Sequence, residues 1–282
     1  MTYADLINLA RETWELVRDF ANSAFASAFL SALAGAGLGV WGAQRVAERG
    51  TRAKELLDGL RQANAVIVLA TTIANHAFSL KRQYISPLSD RYFRDREIAL
   101  AHQAKILKGE SPSPISFQAE MTKITPVTVP LDALKNLVYS AQLMPGRSLA
   151  LVAIVEQSVS ELTHAIGIRT ELIDGFKSES LPEHIFCFDY YGIRRMDGNT
   201  NSMYHDAMVA IRQYTDDLGF FAAELAEEMQ THACAVRNKL VKLRKDVPKA
   251  SSVDFAPARE SGLIPPREDY ESWLSGFRKQ GT

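Results

Sequence analysis

The chain has 282 residues, 32 basic and 33 acidic, for a net charge of −1. That balance leaves no global field for nucleic acid, and no basic run is long enough to follow a groove, which argues against a nucleic-acid partner. The two cysteines, Cys187 and Cys234, are too few and too far apart for a disulfide scaffold or a zinc knuckle; they read as ordinary buried thiols in a reducing cytosol.

Residues 1–19 set Tyr3, Leu6, Ile7, Ala10, Trp14 and Val17 among charges, a pattern that suits an amphipathic segment at a membrane interface. From Phe20 to Gln44 there are 25 residues without a charged side chain. A helix of that length rises about 37 Å against a hydrocarbon core of about 30 Å, so residues 20–44 are predicted to form one transmembrane helix. The competing reading is a Gly/Ala-rich helix inside a soluble core. A cleaved signal peptide fits less well, because acidic residues precede the run and its length exceeds the about 7–15 residues of an apolar signal core.

Within the span, Ser27, Ser31, Gly35, Gly39 and Ala43 recur at every fourth position, flanked by Ala24, Ala28, Ala32 and Ala36. Such a row lies along one helix face and lets a second backbone approach closely, so it is the predicted packing face for another copy of the chain. Arg45, Arg49, Arg52, Lys54 and Arg61 follow the span, whereas Arg11 and Arg18 before it are set against Asp5, Glu12, Glu15 and Asp19. Cations are retained on the cytoplasmic side, which puts the short N-terminus outside and residues 45–282 in the cytoplasm of a bacterial inner membrane.

The body reads as all-α. None of the 11 prolines falls in 1–86, 146–181 or 183–247, and these stretches carry helical apolar spacing. Leu56, Leu60, Ala63, Ile67, Ala70, Ala74 and Ala77 form a narrow seam that continues the membrane helix as a stalk, with Gly50 and Gly59 as the places to bend. Asn64, Asn75 and His76 interrupt it and fix register. Ser86-Pro87-Leu88-Ser89-Asp90 is expected to end that helix and send a second one, 91–108, back alongside it as an antiparallel hairpin. Residues 111–130, with four prolines, read as an extended crossover and not a sheet.

Helices follow at 131–143 and 148–177, the latter with Leu151, Val155, Val159, Leu162, Ile166 and Ile173 near one face. Residues 178–201 read as an aromatic loop containing Phe186, Phe188, Tyr190 and Tyr191. A last long helix opens at Asn201 or Ser202 and runs to Asp246 on the rhythm Ile211, Tyr214, Leu218, Phe221, Leu225, Met229, His232, Val236, Leu240, Leu243. The helical bundle thus covers 45–247. Residues 248–282 form an irregular tail in which Tyr270, Trp273, Leu274 and Phe277 are placed to dock as a short terminal helix.

Chemistry is sparse. Glu161-Leu-Thr-His164 has the Glu-x-x-His spacing of bundle metal sites but no second copy. Glu224, Glu228 and His232 stand one turn apart on the last helix, with His205-Asp206 and Asp216-Asp217 upstream, a set able to bind metal or move a proton. Cys234 and His232, two apart on a helix, point in different directions. His232-Ala-Cys-Ala-Val-Arg237 reverses the order of a helical ribonuclease motif, and no glycine loop fits phosphate. Catalytic residues, a cofactor and a metal are therefore not assigned.

The Gly/Ala-rich span from Gly35 to Gly42, Arg45-Val-Ala-Glu48-Arg49, the Ala74-to-Gln83 stretch and Pro87-Leu88 together resemble uncharacterised single-pass membrane proteins of bacteria. Thr215 to Phe221, His232, and the tail segments Gly262 to Pro265 and Tyr270 to Leu274 are similar to later parts of that group. The resemblance implies an anchored helical body and no activity. The expected function is a membrane-tethered scaffold or sensor, a homo-oligomer through its span, that binds a cytosolic protein. Alternatives are a membrane-perturbing oligomeric effector, as in phage defence, and a helical nuclease or metal-dependent hydrolase.

Overall fold

The computed structural model describes residues 11, 13–15, 18, 24–116, 118–141, 144–178 and 182–276, with the backbone alone at 24–27, 29–40 and 183–184. Among these residues every regular element is helical. Helix α1 runs unbroken from Ala24 to Leu80. Neither glycine bends it. Gly50 is exposed with nothing within 4 Å of where a Cβ would stand, and Gly59 is buried within the seam. Around them Ala, Leu and long polar side chains have high helix propensity, and burial of Leu56, Leu60, Ala63, Ile67, Ala70, Ala74 and Ala77 holds the second half in place.

The helix does not turn back at Ser86–Asp90. A π-helical turn, Lys81–Ile85, leads directly into α2, Ser86–Leu107, so the predicted antiparallel hairpin is absent. The backbone N–H of Ser86 bonds to the Lys81 carbonyl, one residue further back than in an α-helix. That wider turn comes immediately before Pro87, which has no N–H and whose ring crowds the preceding turn. Pro87 then sits in the first turn of α2, where its missing donor is not needed.

Among the described residues, the crossover from 110 to 130 is without regular structure, as the prolines predict. Then come α3, Leu131–Tyr139, and α4, Gly146–Ser178. Where the sequence predicts only a loop, a short helix α5, Glu183–Tyr191, is closed by Gly192 in the left-handed conformation at φ 60°. Helix α6, Met203–Leu240, stops short of the predicted Asp246. Leu240 is its last fully buried residue, and beyond it the cations Lys242, Arg244 and Lys245 have no apolar face to anchor while Arg237 donates to the Pro248 carbonyl at 3.2 Å.

Helix α6 is the centre of the body, buried on all sides from Leu218 to Ala226, with α1 and α4 as its main neighbours. Phe78 packs against Gly219 and Lys81 meets Asp216, so α1 and α6 run in opposite directions. Arg147 meets Glu228 and Arg169 meets Tyr204, which gives the same relation for α4 and α6. A Cβ on Gly219 would stand 3.0 Å from the Phe78 ring; this glycine allows the close approach. The segment after Pro248 returns across α1 and α6 through α7, Ala256–Glu260, a 3₁₀ turn, Arg267–Tyr270, and α8, Glu271–Ser275, burying Phe255, Ile264 and Leu274. Phe277 lies outside the described residues.

Candidate functional site

Three places carry polar or apolar groups with a definite arrangement. The first is the stretch of α1 from Trp41 to Glu55. From Trp41 to Glu55 every residue is exposed except half-buried Gly42 and Ala53. Ala43, Arg45, Arg49, Arg52 and Lys54 all face solvent, and the Arg45 guanidinium lies 4.3 Å over the ring centre of Trp41, itself 55 % exposed. Ser27, Ser31, Gly35 and Gly39 have helical backbone, and their side chains lie outside the described residues, as do residues 1–10 and 19–23.

The second place is the clamp that holds the C-terminal segment. Asn64 grips the backbone twice, donating to the Lys249 carbonyl at 3.0 Å and accepting from Ser251 N–H at 2.8 Å. Lys81 Nζ, at the π turn, donates to the carbonyls of Gly262 and Leu263 at 2.9 and 3.1 Å and stands 2.7 Å from Asp216. Tyr270 donates to Asp217 at 2.7 Å and stacks on Phe220 with centroids 3.8 Å apart. Burial raises the Asp217 carboxyl above the usual range, with the Tyr270 bond opposing and Asp216 adding to the rise.

Glu224, 3 % exposed, is the hub of this clamp. Arg267 binds it through both terminal nitrogens, at 2.8 and 3.0 Å, and Arg147 at 2.7 Å; Arg147 also reaches Glu228 at 3.0 Å. Of the acidic residues that the sequence groups with His232, Glu224 and Glu228 are engaged by arginines, Asp216 by Lys81, Asp217 by the Tyr270 hydroxyl and Asp206 by the Ser202 hydroxyl, while His205 lies elsewhere, beside Tyr92. Glu161 is half-buried and His164 exposed; among the described residues no three His, Cys, Asp or Glu side chains converge as a metal site would require. The cysteines are not both buried as predicted: Cys234 is exposed on α6, at a position off its apolar seam, and Cys187 is half-buried on α5.

The third place is an aromatic cluster between α2, α5 and α6. Tyr190 and Tyr204 stack with centroids 4.5 Å apart, and Tyr92 packs edge-on to Tyr190. Arg169, 1 % exposed, donates from Nε to the Tyr204 hydroxyl at 3.1 Å and from its terminal nitrogens to the carbonyls of Thr122 and Glu120 at 2.8 and 3.1 Å. The Glu120 N–H donates to Tyr190 Oη at 3.1 Å. These bonds pin the crossover onto the cluster.

Tyr92 donates its proton to the Tyr190 carbonyl at 3.0 Å, which leaves its oxygen to accept from Nδ1 of His205 at 3.3 Å. Burial raises the phenols of Tyr92, Tyr190 and Tyr204, and lowers His205 with help from nearby Arg96.

Beside this cluster is a cavity of about 670 Å³, walled by α2, the crossover and the α5 region. The sequence reading does not find it, because its walls come from three separate segments. Arg169 carries a readable signal: it occupies the three-four rhythm Leu162, Ile166, Arg169, Ile173, a charge at a core position. Compared with known proteins, the chain matches no family model, no curated protein and no solved structure. Fold and sites together define an all-helical body with a projecting helix, a clamped C-terminal segment and an aromatic-walled cavity.

Proposed function

We propose that this protein is a membrane-anchored helical scaffold or sensor, without catalysis, that self-associates through its span and presents its body to a cytosolic protein. The observation that carries the reading is the continuity of α1, which belongs to the core from Leu56 onward and is exposed on nearly all sides between Trp41 and Glu55. A helix that leaves its own body, is rich in glycine and has no charge over residues 20–44 gains little stability in water, where isolated helices are marginal. In lipid, where backbone groups must bond internally, the same segment is strongly helical.

Trp41 with Arg45 stacked on it suits the headgroup region, and Arg49, Arg52 and Lys54 suit the cytoplasmic side. The resemblance to single-pass bacterial proteins agrees with an inner-membrane location. In this reading α1 is a rigid connector: association of copies at Ser27, Ser31, Gly35, Gly39 and Ala43 sets the orientation of the bodies.

Alkaline carbonate washing of membranes is the first test, with the chain expected to stay in the pellet; release of intact chain would overturn the anchor. Replacing Gly35 and Gly39 with Leu should then abolish cross-linked oligomers, and unchanged cross-linking would remove the self-association. Pull-down from cross-linked membranes reads the partner.

A further inference from the structure

We infer that the cavity beside the tyrosine cluster is a binding site for a neutral, predominantly apolar small molecule. Its volume of about 670 Å³ falls inside the range of about 300–1,000 Å³ typical of drug-sized ligand sites. The walls are Ile106 and Ala99 from α2, Pro114 and Ile115 from the crossover, and Phe186 and Phe188 from α5. Among the described lining residues none is Asp, Glu, Lys or Arg. A charged ligand entering there would lose its hydration without meeting a counter-ion, so the lining selects for a neutral one.

Two further observations point the same way. Large apolar side chains stand uncovered at the mouth: Met196 is 66 % exposed, and Ile106 and Ile115 are exposed beside it. Apolar surface gathered around a cavity marks a binding site more often than scattered single residues do. The cavity is also preformed. Tyr190 and Tyr191 line it, packed edge-on, the crossover is held next to the lining residue Ala119 by the bonds of Arg169 and Tyr190 to Glu120 and Thr122, and Arg96 fixes the Tyr191 carbonyl at 2.8 Å.

The polar groups on the wall are few. His102 Nε2 lies 3.1 Å from the Ser113 carbonyl, the Gln103 amide donates to the Arg194 carbonyl, and Cys187 faces the cavity. They orient a ligand's single polar group without demanding charge. The inference does not rest on the membrane reading, since the cavity belongs to the body whether or not residues 20–44 cross a bilayer.

The test uses benzophenone, a neutral apolar photo-cross-linker, on the full chain in lipid nanodiscs, or in buffer if the chain washes free of membranes. Peptide mapping after irradiation should show saturable labelling of Ile106–Ala119 and Phe186–Met196 at about tenfold the level found around exposed His164, with the anionic 4-benzoylbenzoate about tenfold weaker. Saturating benzophenone in the dark should slow alkylation of Cys187 and leave exposed Cys234 unchanged. Equal labelling of cavity and His164 peptides, or equal labelling by the anion, would overturn the site.

Ala99→Phe fills the cavity and should remove the saturable labelling; full labelling of a variant that melts like wild type also overturns it. Should Ala99→Phe unfold, the rim pair Ile115→Gln and Met196→Gln is expected to weaken labelling about fivefold, and undiminished labelling counts against the site.

Discussion

The guanidinium of Arg169 is buried against Tyr204, its Nε donating to the phenol oxygen at 3.1 Å while its two terminal nitrogens hold the carbonyls of Thr122 and Glu120. One side chain on α4 therefore joins α6 to an irregular crossover that makes no ladder of its own. A planar fork with donors in fixed directions is required for three partners at once, and an ammonium cannot reproduce it. Arg169→Lys should cost about 2–3 kcal/mol in urea unfolding, since it leaves buried acceptors unpaired. It should also open residues 110–123 to limited proteolysis before the rest of the body. Cleavage no faster than in wild type would show that the crossover is held by other contacts.

Glu224 joins three segments that are distant in sequence, and its two arginine partners differ in exposure: Arg147 is mostly buried and Arg267 half-exposed. Glu224→Gln keeps the shape and removes the charge. With Glu228 still available to Arg147 and Arg267 half-exposed, the expected loss is about 2 kcal/mol, below the about 3–5 kcal/mol for breaking a fully buried ion pair. Hydrogen exchange should rise across 256–276, which Arg267 fastens, more than across α4. A uniform rise would mean that the clamp does not act locally.

The helices were legible wherever one face repeats: all seven residues of the Leu56-to-Ala77 seam are buried, as are Leu218, Phe221, Leu225 and Met229 on α6. Pro87 misled because proline is a stop inside a helix and a good start one residue after it; a π turn converts one into the other, and only the backbone shows which applies. Helix α5 was hidden because its nine residues are too few for periodicity to register and its aromatics face the cluster from several sides. The clamp was invisible for another reason. Asn64 and Lys81 bind backbone carbonyls and amides of residues 249–263, and backbone groups carry no sequence signature.

Gly192 ends α5 at φ 60°, and a Cβ there would stand 2.8 Å from His205 Cβ and 3.3 Å from Ser202 Cα. Both the left-handed backbone and the close approach of α6 require glycine. Gly192→Ala should cost about 1–2 kcal/mol from the backbone alone, with the contact adding to it. The loss should appear as a lower melting temperature together with weaker near-ultraviolet dichroism from the tyrosine cluster. A variant as stable as wild type would mean that α5 and α6 can separate at this point without penalty.

His205 links that cluster to pH. Burial, then the neighbouring Arg96, holds its imidazole below the ordinary value of 6.5, against the opposing pull of Asp206. A histidine whose folded-state pKa is depressed contributes stability that is fully present above its unfolded pKa and is lost as pH falls through the folded one. The neutral ring donates to Tyr92 Oη, whose own proton is committed to the Tyr190 carbonyl; the charged ring would sit half-buried facing Arg96. Urea unfolding should therefore show stability falling between pH 7.5 and pH 5. In His205→Gln, which keeps a donor and does not titrate, that part of the fall should disappear. Parallel pH profiles for the two proteins would assign the acid sensitivity to the carboxylates instead, and would mean that the tyrosine cluster tolerates a charged neighbour.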